Sequence, residues 1–272
     1  MSSAPAVSIV TGGASGIGRE LTARLVRRGG RVIVADLDER AAEALAERLG
    51  EQVTPVGVDV AERGAVEALV EDTMRREGRL DLMVNNAGIL LFGPLEEVTA
   101  EHWDRALAVN LRAVIDGSQA AHAVMAPRRS GIVLNTGSLA GLMVSPRQLP
   151  YTTTKQAVVA YTRAFAIEAK RHGVRAHVLC PGFVDTKLLD EPVRPGRHTG
   201  SFRRYAHTLQ PRLLTPGEVA DAALRGIARR RTVIPVGAFA RALWTLERLS
   251  PAFMDTASGV TARREARRSG GR

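Results

Sequence analysis

Short apolar runs alternate with longer amphipathic stretches along most of this 272-residue chain. Apolar runs bounded by turn-forming residues are typical of buried strands, whereas apolar positions spaced three and four residues apart are typical of helices. The runs predict strands at Val7–Val10, Arg31–Ala35, Asp81–Val84, Gly131–Asn135, Val174–Cys180 and Thr232–Val236. The amphipathic stretches predict helices at Gly16–Arg28, Arg40–Leu49, Glu62–Glu77, Glu101–Met125, Tyr151–His172 and Ala238–Leu249.

Strands that alternate with helices favour the α/β class, in which a parallel sheet carries helices on both faces. We expect a single domain with a doubly wound, seven-stranded parallel sheet in the order 3-2-1-4-5-6-7 and right-handed crossovers. The chain is long for one domain, but doubly wound sheets of this size often enclose a single core.

A glycine-rich segment, Thr11–Gly18, joins the first predicted strand to the first predicted helix. Gly12 permits a tight turn, Gly16 lets the backbone approach a pyrophosphate, and Gly18 allows close packing of helix on strand. The free amides and the positive dipole at the helix start then favour phosphate. Asp36 ends the second strand, where a dinucleotide fingerprint has its ribose-binding acid, so we expect a Rossmann fold rather than an ordinary turn.

Tyr151 and Lys155 are four residues apart and therefore share one face of a helix. A cation beside a phenol favours the phenolate and lowers a pKa that begins near ~10. Lowering that pKa to neutrality takes roughly 4 kcal/mol, at about 1.36 kcal/mol for each unit. Alone, such a pair is more often an ordinary helix surface, so its context decides the interpretation.

Polar residues follow several predicted strands, and the carboxyl ends of parallel strands share one edge of a sheet. Asn85–Gly88 follows the strand that begins at Asp81, and Ser138 lies just beyond the next strand. Pro181 ends the strand that runs from Val174 to Cys180. The asparagines there either close a turn internally or meet a ligand. Asn110 taken alone would more often be a helix irregularity than a catalytic group.

In combination these motifs resemble the short-chain dehydrogenase/reductase family, in its short single-domain branch. The resemblance runs from Val7 to about Val236, and its motifs are Thr11–Gly18, Asp59-Val60, Asn85–Gly88, Asn110, Ser138, Tyr151-x-x-x-Lys155 and Pro181-Gly182-x-Val184-x-Thr186. It implies an oxidoreductase that transfers a hydride between a nicotinamide cofactor and a carbonyl or secondary alcohol. Residues 1–236 would form the NAD(P)-binding catalytic domain, and residues 237–272 an amphipathic helix with a basic tail.

The resemblance also assigns roles to individual residues. Tyr151 would be the general acid or base, and Ser138 would hydrogen-bond the substrate oxygen. Lys155 would lower the pKa of Tyr151 and bind the nicotinamide ribose, and Asn110 would supply a proton relay. The implied cofactor contacts are Gly12, Ser15, Gly16, Ile17, Gly18, Asp36, Asp59, Val60, Asn86, Ala87, Gly88, Tyr151, Lys155, Pro181, Gly182, Val184 and Thr186. A catalytically silent dinucleotide-binding sensor or scaffold remains the alternative.

NAD(H) is the cofactor that the sequence favours over NADP(H). The Asp36 carboxylate would repel a 2′-phosphate. Family members that use the phosphorylated cofactor usually carry a basic residue where this chain has Ser15 or Leu37. Arg40 is near enough in sequence to reach inward and keeps NADP(H) as the second choice.

Three stretches that should open onto the catalytic edge favour a mainly apolar alcohol or ketone as substrate. Their residues are Leu90, Leu91, Phe92, Leu139, Leu142, Met143, Val144, Phe183 and Leu188. Pro192, Pro195, Gly196 and Gly200 predict an irregular loop over Lys187–Arg212, either a mobile surface loop or a lid. Phe202 and Tyr205 would give such a lid apolar contacts. An acidic or polyhydroxylated substrate held by Arg147, Arg203 or Arg204 is the competing interpretation.

The formal charge of +10 comes mainly from the C-terminus, since residues 228–272 hold ten arginines and three acids, or 10 − 3 = +7. We expect Thr261–Arg272 to be a solvated, frayed end. Aromatic residues are only 4% of the chain, which argues against specific nucleic-acid binding. The stripe over Ala238–Leu249 more often packs on protein than on a membrane surface, so peripheral membrane contact is a minority interpretation.

The remaining expectations concern the setting of the protein. With Cys180 as the only cysteine, no internal disulfide can form and a cytoplasmic location is expected. No apolar run is long enough to span a bilayer, and Met1–Pro5 lacks a signal-peptide core. The six histidines form no ligand pair, so no metal is expected. Apolar positions on the helices around Glu101–Met125 and Tyr151–His172 favour a homodimer or homotetramer.

Overall fold

A computed structural model describes residues 5–193, 201–210 and 212–269, with side chains described as far as residue 263. Its strands are β1 (Val7–Thr11), β2 (Arg31–Asp36), β3 (Val53–Gly57), β4 (Leu82–Asn85), β5 (Gly131–Thr136), β6 (Val174–Pro181) and β7 (Val233–Val236). They form one parallel sheet in the order β3-β2-β1-β4-β5-β6-β7. The predicted single-domain Rossmann fold, sheet and strand order are therefore confirmed.

Helices cover both faces of the sheet. Their bounds are α1 (Gly16–Val26), α2 (Glu39–Leu49), α3 (Ala65–Glu77), α4 (Ala100–Leu107), α5 (Ala113–Met125), α6 (Leu149–Lys170), α7 (Lys187–Asp190), α8 (Phe202–Leu209), α9 (Pro216–Ala228), α10 (Ala238–Leu249) and α11 (Pro251–Ser269). Short 3₁₀ turns at Leu95–Glu97 and Leu139–Gly141 complete the described elements.

The core divides into two layers because successive strand residues point to opposite faces. On β1, Val10 packs with α1, α2 and α9, whereas its neighbour Ile9 packs with α3, α5 and α6. Ile33 and Val34 on β2 divide in the same way. Both faces of the central strands are thus buried, which explains their continuous apolar runs in the sequence.

The structure differs from the sequence prediction at several points. The helix expected at Glu101–Met125 contains a π-helical turn, Ala108–Arg112, between α4 and α5. β3 was not located from its sequence, because Pro55 and Gly57 interrupt its apolar pattern. The loop expected over Lys187–Arg212 contains α7 and α8, and Pro195, Gly196 and Gly200 lie outside the described residues.

The C-terminal segment also differs, since the expected frayed end is wrong up to Ser269, where α11 ends. Within the described residues, no helix is long and apolar enough to cross a membrane. The domain boundary at residue 236 stays a prediction.

Two glycine-to-alanine substitutions test the packing of α5 on the sheet. Alanine usually stabilises a helix relative to glycine by roughly 0.5–1 kcal/mol. At buried Gly117 on α5, however, an added Cβ would lie 2.2 Å from the Asn85 Oδ1 atom and 2.9 Å from the Met83 Cε atom. We therefore expect Gly117→Ala to lower the free energy of unfolding by about 1–3 kcal/mol, the usual cost of overpacking.

Gly259→Ala on α11 is the matched control, because its Cβ would contact only the end of the Arg263 side chain, at 3.8 Å. This variant should keep or raise the free energy of unfolding. Urea denaturation of both variants measures the difference. Equal effects of the two substitutions would contradict the packing of α5 described above.

Candidate active site

Tyr151 and Lys155 lie in the first turns of α6, against the end of β5, and both are buried, with 9% and 3% of their surface exposed. Lys155 Nζ lies 5.7 Å from the centroid of the Tyr151 ring. The Ser138 side chain, just beyond β5, lies beside the phenol and accepts the Ala140 amide at 3.1 Å. The structure therefore brings together a hydroxyl, a phenol and an ammonium that the sequence separates.

Burial governs the protonation of this cluster. It raises the pKa of Tyr151, while the hydrogen bond from Ser138 acts in the opposite direction. Burial lowers the pKa of Lys155 to about 8, although its Nζ atom donates to the Thr136 carbonyl at 2.9 Å. Desolvation is thus the largest influence on both groups and favours their neutral forms, and the expectation that Lys155 lowers the pKa of the phenol stays a prediction.

Asn110 lies at the centre of the π-helical turn and is fully buried. Its amide makes two hydrogen bonds to the backbone of Ile89, accepting from the nitrogen and donating to the oxygen, each at 2.9 Å. A Cβ on Gly88 would lie 3.1 Å from Asn110 Oδ1 and 3.5 Å from Lys155 Nζ. Asn110 is thus both a helix irregularity and a near neighbour of the lysine. π-Helical turns often occur at functional sites.

The glycine-rich turn between β1 and α1 has the backbone that a pyrophosphate site needs. Gly12 and Gly16 adopt positive φ angles of 60° and 48°, which favour glycine. A Cβ on Gly16 would lie 3.1 Å from Thr186 Cγ2, and one on Gly18 only 2.1 Å from the Gly12 oxygen. Ser15 is the exposed N-cap of α1 and Ile17 packs against the core. These residues fit a dinucleotide cofactor.

Asn86 and Thr11 fix this turn to the neighbouring strand. Thr11 Oγ1 accepts the amides of Asn86 at 2.9 Å and Ala87 at 3.1 Å. The Asn86 side chain donates to the oxygens of Thr11 and Gly12, each at 3.1 Å, and accepts from Thr136 Oγ1 at 3.2 Å. The asparagine therefore closes turns internally, which was one of the two alternatives. Sequence reasoning missed Thr136 and gave Thr11 no role beyond its place in the glycine-rich motif, because both roles depend on strand neighbours.

Asp36 lies at the end of β2, beside the glycine-rich turn. One carboxylate oxygen accepts the Ala14 amide at 2.9 Å and the other accepts the Asp38 amide at 3.2 Å. Leu37, next in the chain, is 70% exposed. Beyond β3, Asp59 is exposed and accepts the Ala61 amide at 2.9 Å, whereas Val60 packs partly against the core. Asp36 and Asp59 thus lie at the carboxyl ends of two neighbouring parallel strands, β2 and β3.

The segment after β6 is held by a residue that the sequence did not reveal. Gln210, 6% exposed, accepts the Phe183 amide at 3.1 Å and donates to the Phe183 carbonyl at 3.0 Å. A Cβ on Gly182 would lie 2.5 Å from the Gln210 Oε1 atom. Val184 forms a parallel bridge with Leu214, and Thr186 is the N-cap of α7. No motif marks Gln210, because its contact spans a loop.

A cavity of about 230 Å³ opens beside Ser138 and Tyr151. The residues around it include Leu90, Ser138, Leu139, Ala140, Met143, Val144, Ser145, Pro146, Gln148, Tyr151, Gly182, Phe183, Leu188, Phe202, Tyr205, Leu209, Phe239, Leu243, Met254, Ala257, Ser258 and Thr261. None of these lining residues is an aspartate, glutamate, lysine, arginine or histidine, so the cavity wall that they form is uncharged. Of the predicted wall residues, Leu91, Phe92 and Leu142 are not among the lining, and Phe92 is fully buried beneath it.

The arginines proposed for an acidic substrate lie elsewhere. Arg147 has its guanidinium 5.6 Å from the centroid of the Phe92 ring. Arg203 is bound by the carboxylates of Asp185 and Asp190 and reaches the Thr186 carbonyl. The expectation that Arg203 is available to a substrate is therefore wrong, since it fastens α8 to the segment around α7 instead. Arg204 is exposed.

The aromatic residues expected in a lid are found in a cluster. Phe202 and Tyr205 of α8 are 3% and 6% exposed, and the centroids of their rings lie 4.9 and 5.5 Å from that of Phe92.

Within the described parts of the chain, no three histidine, cysteine, aspartate or glutamate side chains are grouped as metal ligands would be. Cys180 is buried near this site, and burial raises the pKa of its thiol to about 12.

Known proteins resemble this chain over most of its length. A 42% identical relative, momilactone A synthase from Oryza sativa subsp. japonica, aligns over 67% of this chain and 68% of its own. The 3beta-hydroxysteroid dehydrogenase 2 of Eggerthella lenta is 34% identical over 79% of this chain and 85% of its own.

Solved structures show the same architecture. A short-chain dehydrogenase/reductase from Burkholderia phymatum in complex with NAD has a TM-score of 0.82 and 29% identity, covering 91% of this chain and 94% of its own. A Sphingobium yanoikuyae short-chain dehydrogenase in complex with NADPH has a TM-score of 0.76 and 25% identity, covering 92% and 95%. The family model for short chain dehydrogenases matches residues 6–195. The chain therefore belongs to the short-chain dehydrogenase/reductase family.

Proposed function

We propose that this protein transfers a hydride between NAD(H) and a secondary alcohol or ketone of mainly apolar character. The observation that carries this proposal is the cluster formed by half-buried Ser138 and buried Tyr151 and Lys155, in which Ser138 and Tyr151 line an uncharged cavity. When bound, the nicotinamide cofactor supplies or accepts the hydride. The residues of the chain then need only position the substrate oxygen and move one proton.

Tyr151 is the group best placed to move that proton. Tyr151 lines the cavity together with Ser138, whose hydroxyl lies beside the phenol. Burial keeps the phenol protonated in the protein alone, as a general acid for ketone reduction requires. Ser138, beside it, would bind the same substrate oxygen and stabilise the charge that grows on it. In alcohol oxidation the phenolate would accept the proton.

Lys155 and Asn110 would support the tyrosine from behind. A pKa near 8 lets the ammonium exchange a proton at ordinary pH, which an exposed lysine does much less readily. The lysine is anchored by the Thr136 carbonyl, so its ammonium is held near the phenol. Asn110, close to Gly88 and Lys155, would line the route by which the proton reaches solvent.

The cleft at the glycine-rich turn would hold the cofactor. Gly12, Gly16 and the first amides of α1 would bind the pyrophosphate, and Asp36 the adenosine ribose. Asp59, Val60 and Asn86–Gly88 would border the adenine and the central part of the dinucleotide. The remaining proposed contacts, with the nicotinamide half, are Tyr151, Lys155, Pro181, Gly182, Val184 and Thr186.

The substrate assignment rests on the cavity lining, whose side chains are mostly aliphatic and aromatic. The relative from Eggerthella lenta, named for a hydroxysteroid, supports an apolar alcohol.

We also propose that the protein is a homo-oligomer. The exposed side chains of Ile167 on α6 and Leu107 on α4, at 77% and 38%, support this proposal. Val158 on α6 is fully buried and therefore belongs to the core of the subunit. The cytoplasmic location stays a prediction.

Replacing Tyr151 by Phe should remove turnover and keep cofactor binding. The substitution deletes only the hydroxyl that carries the proton. We expect kcat to fall at least about a hundredfold, the lower range for loss of a general acid. NADH formation with fused-ring, aliphatic and aromatic secondary alcohols measures turnover, and NADH fluorescence measures binding.

Tyr161→Phe, on the same helix but outside the cavity, is the matched control and should keep its activity. Turnover that persists in Tyr151→Phe would refute its role. If the wild type binds NADH but oxidises none of these alcohols and reduces none of their ketones, a silent dinucleotide-binding protein becomes the better description.

NAD(H) should bind more tightly than NADP(H), because a 2′-phosphate would lie near the Asp36 carboxylate. Asp36→Asn keeps the side-chain shape and an oxygen for the Ala14 amide while removing the charge. We expect the ratio of the NADPH and NADH dissociation constants to be about tenfold smaller in this variant than in the wild type, which corresponds to about 1.4 kcal/mol. Titration calorimetry with both cofactors measures it. Tighter binding of NADPH by the wild type would overturn the assignment.

The buried Lys155 should give the cofactor-free protein a distinctive pH dependence of stability. Its pKa is about 8 in the folded state and 10.5 for the ordinary side chain. Below pH 8 both states are protonated and the folded state bears the full burial cost. Between these values only the unfolded state holds the proton, so the free energy of unfolding should rise with pH, by about 3 kcal/mol in all.

This rise is measured as the difference between wild type and Lys155→Met in urea denaturation at several pH values from 7 to 10.5. The free energy of unfolding of the wild type, minus that of Lys155→Met, should rise as the pH rises. Lys170→Met, at the exposed end of the same helix, is the control, and its difference should stay constant. A constant difference for Lys155→Met would contradict the burial described for the ammonium.

A further inference from the structure

Helix α11 turns one face toward the substrate cavity. Met254, Ala257, Ser258 and Thr261 line the cavity, and their spacing of three, four and seven residues belongs to a single helix face. Met254 is 3% exposed and Ser258 7%, whereas Phe253, on another face, is 60% exposed. The helix is therefore placed with a definite side against the cavity.

Helix α10 contributes to the same wall. Phe239 and Leu243, one helical turn apart, line the cavity, and the Phe239 ring centroid lies 6.5 Å from that of Phe183. Phe183 itself lies within the segment proposed to hold the nicotinamide. The wall built by α10 and α11 is thus continuous with the catalytic edge of the sheet.

Both helices lie beyond residues 6–195, which are the part that the family model matches. Their contribution to the cavity therefore comes from outside the segment that the family model matches. Four of the large hydrophobic side chains that remain exposed, Leu246, Leu249, Phe253 and Val260, also lie on these helices.

Ser258 supplies a hydroxyl to this wall. Within the described residues, its hydroxyl makes no hydrogen bond, although only 7% of the surface of the residue is exposed. Helical serines usually bond to a carbonyl one turn back or face solvent. The Ser258 oxygen is not among the fully buried polar atoms of the described residues, so a ligand in the cavity can reach this hydroxyl. Gln148 and Ser145, by contrast, bond to each other at 2.7 Å.

We propose that α10 and α11 form a specificity wall, defined as Phe239, Leu243, Met254, Ala257, Ser258 and Thr261, which selects a bulky apolar substrate. The substrate class is a fused-ring secondary alcohol or ketone with a second oxygen function remote from the reacting carbon. Ser258 donates a hydrogen bond to that remote oxygen. The inference rests on the proposed function, since the reacting end of the substrate is placed by Tyr151 and Ser138.

The first test fills the cavity from this wall. Ala257→Trp projects an indole into the cavity, and Thr256→Trp places the same group on the exposed side of α11. The ratio kcat/KM is measured for androstan-3β-ol and for cyclohexanol as a small probe. Ala257→Trp should lose at least tenfold with the steroid and less than twofold with cyclohexanol, while Thr256→Trp keeps both values.

A loss shared equally by the two alcohols, or no loss for either, would overturn the specificity wall. NADH binding by Ala257→Trp, measured by fluorescence, shows whether the variant has folded with an intact cofactor cleft. If that variant does not fold, Ala257→Leu, which adds a smaller side chain at the same position, is measured with the same pair of alcohols.

The second test concerns the remote oxygen. The wild type should prefer androstan-3β-ol bearing a 17-ketone to the same alcohol without it. Ser258→Ala should reduce that preference by about threefold to tenfold, the range expected for one neutral hydrogen bond. Because both alcohols share their reacting end, a general effect of the substitution cancels in the ratio. An unchanged ratio would remove Ser258 from the proposal.

Failure of the proposed function can be told apart from failure of the wall. If the wild type oxidises no alcohol with either cofactor, the proposed function fails, and the wall is then tested by equilibrium binding of androstan-3-one using titration calorimetry. Binding by wild type and Thr256→Trp but not by Ala257→Trp would support the wall. Absence of binding to the wild type, or equal binding by all three proteins, would overturn it.

Discussion

Asn86 links three strand ends, and the arrangement of the site depends on this link. Its amide side chain holds the oxygens of Thr11 and Gly12 and accepts the hydroxyl of Thr136, while its backbone nitrogen donates to Thr11. Thr136 in turn holds Lys155 through its carbonyl. One hydrogen-bonded chain therefore runs from the glycine-rich turn to the catalytic helix. It is buried enough that each missing bond would leave a costly unpaired group.

Burial imposes opposite demands on the two titratable groups next to this chain. Desolvation favours the neutral forms, so it raises the pKa of the Tyr151 phenol and lowers that of the Lys155 ammonium. The folded protein alone therefore favours a protonated acid beside a lysine that exchanges its proton near pH 8. Such strained electrostatics reduce stability and are common where a site must act on a proton.

The substrate side of the cleft is built by parts that are far apart in the chain. Loops after β4, β5 and β6 supply one side of the cavity, α8 supplies aromatic residues, and the C-terminal helices supply another side. Arg203 ties α8 to the residues around Thr186, so the aromatic cluster and the cofactor segment are joined. Substitutions in the proposed specificity wall on α10 and α11 would therefore leave unaltered the sheet edge that holds Ser138, Tyr151 and Lys155.

The sequence alone determined the strand order, the layered core and the set of motifs at one sheet edge, because parallel strands and glycine turns leave strong local patterns. It did not reveal β3, with Pro55 and Gly57, or the π-helical turn around Asn110. Only the tertiary structure decided that Gln210 holds Phe183, that Arg203 is bound by two carboxylates, and that α11 lines the cavity. These contacts join residues distant in sequence, and neither composition nor periodicity encodes which surfaces will meet.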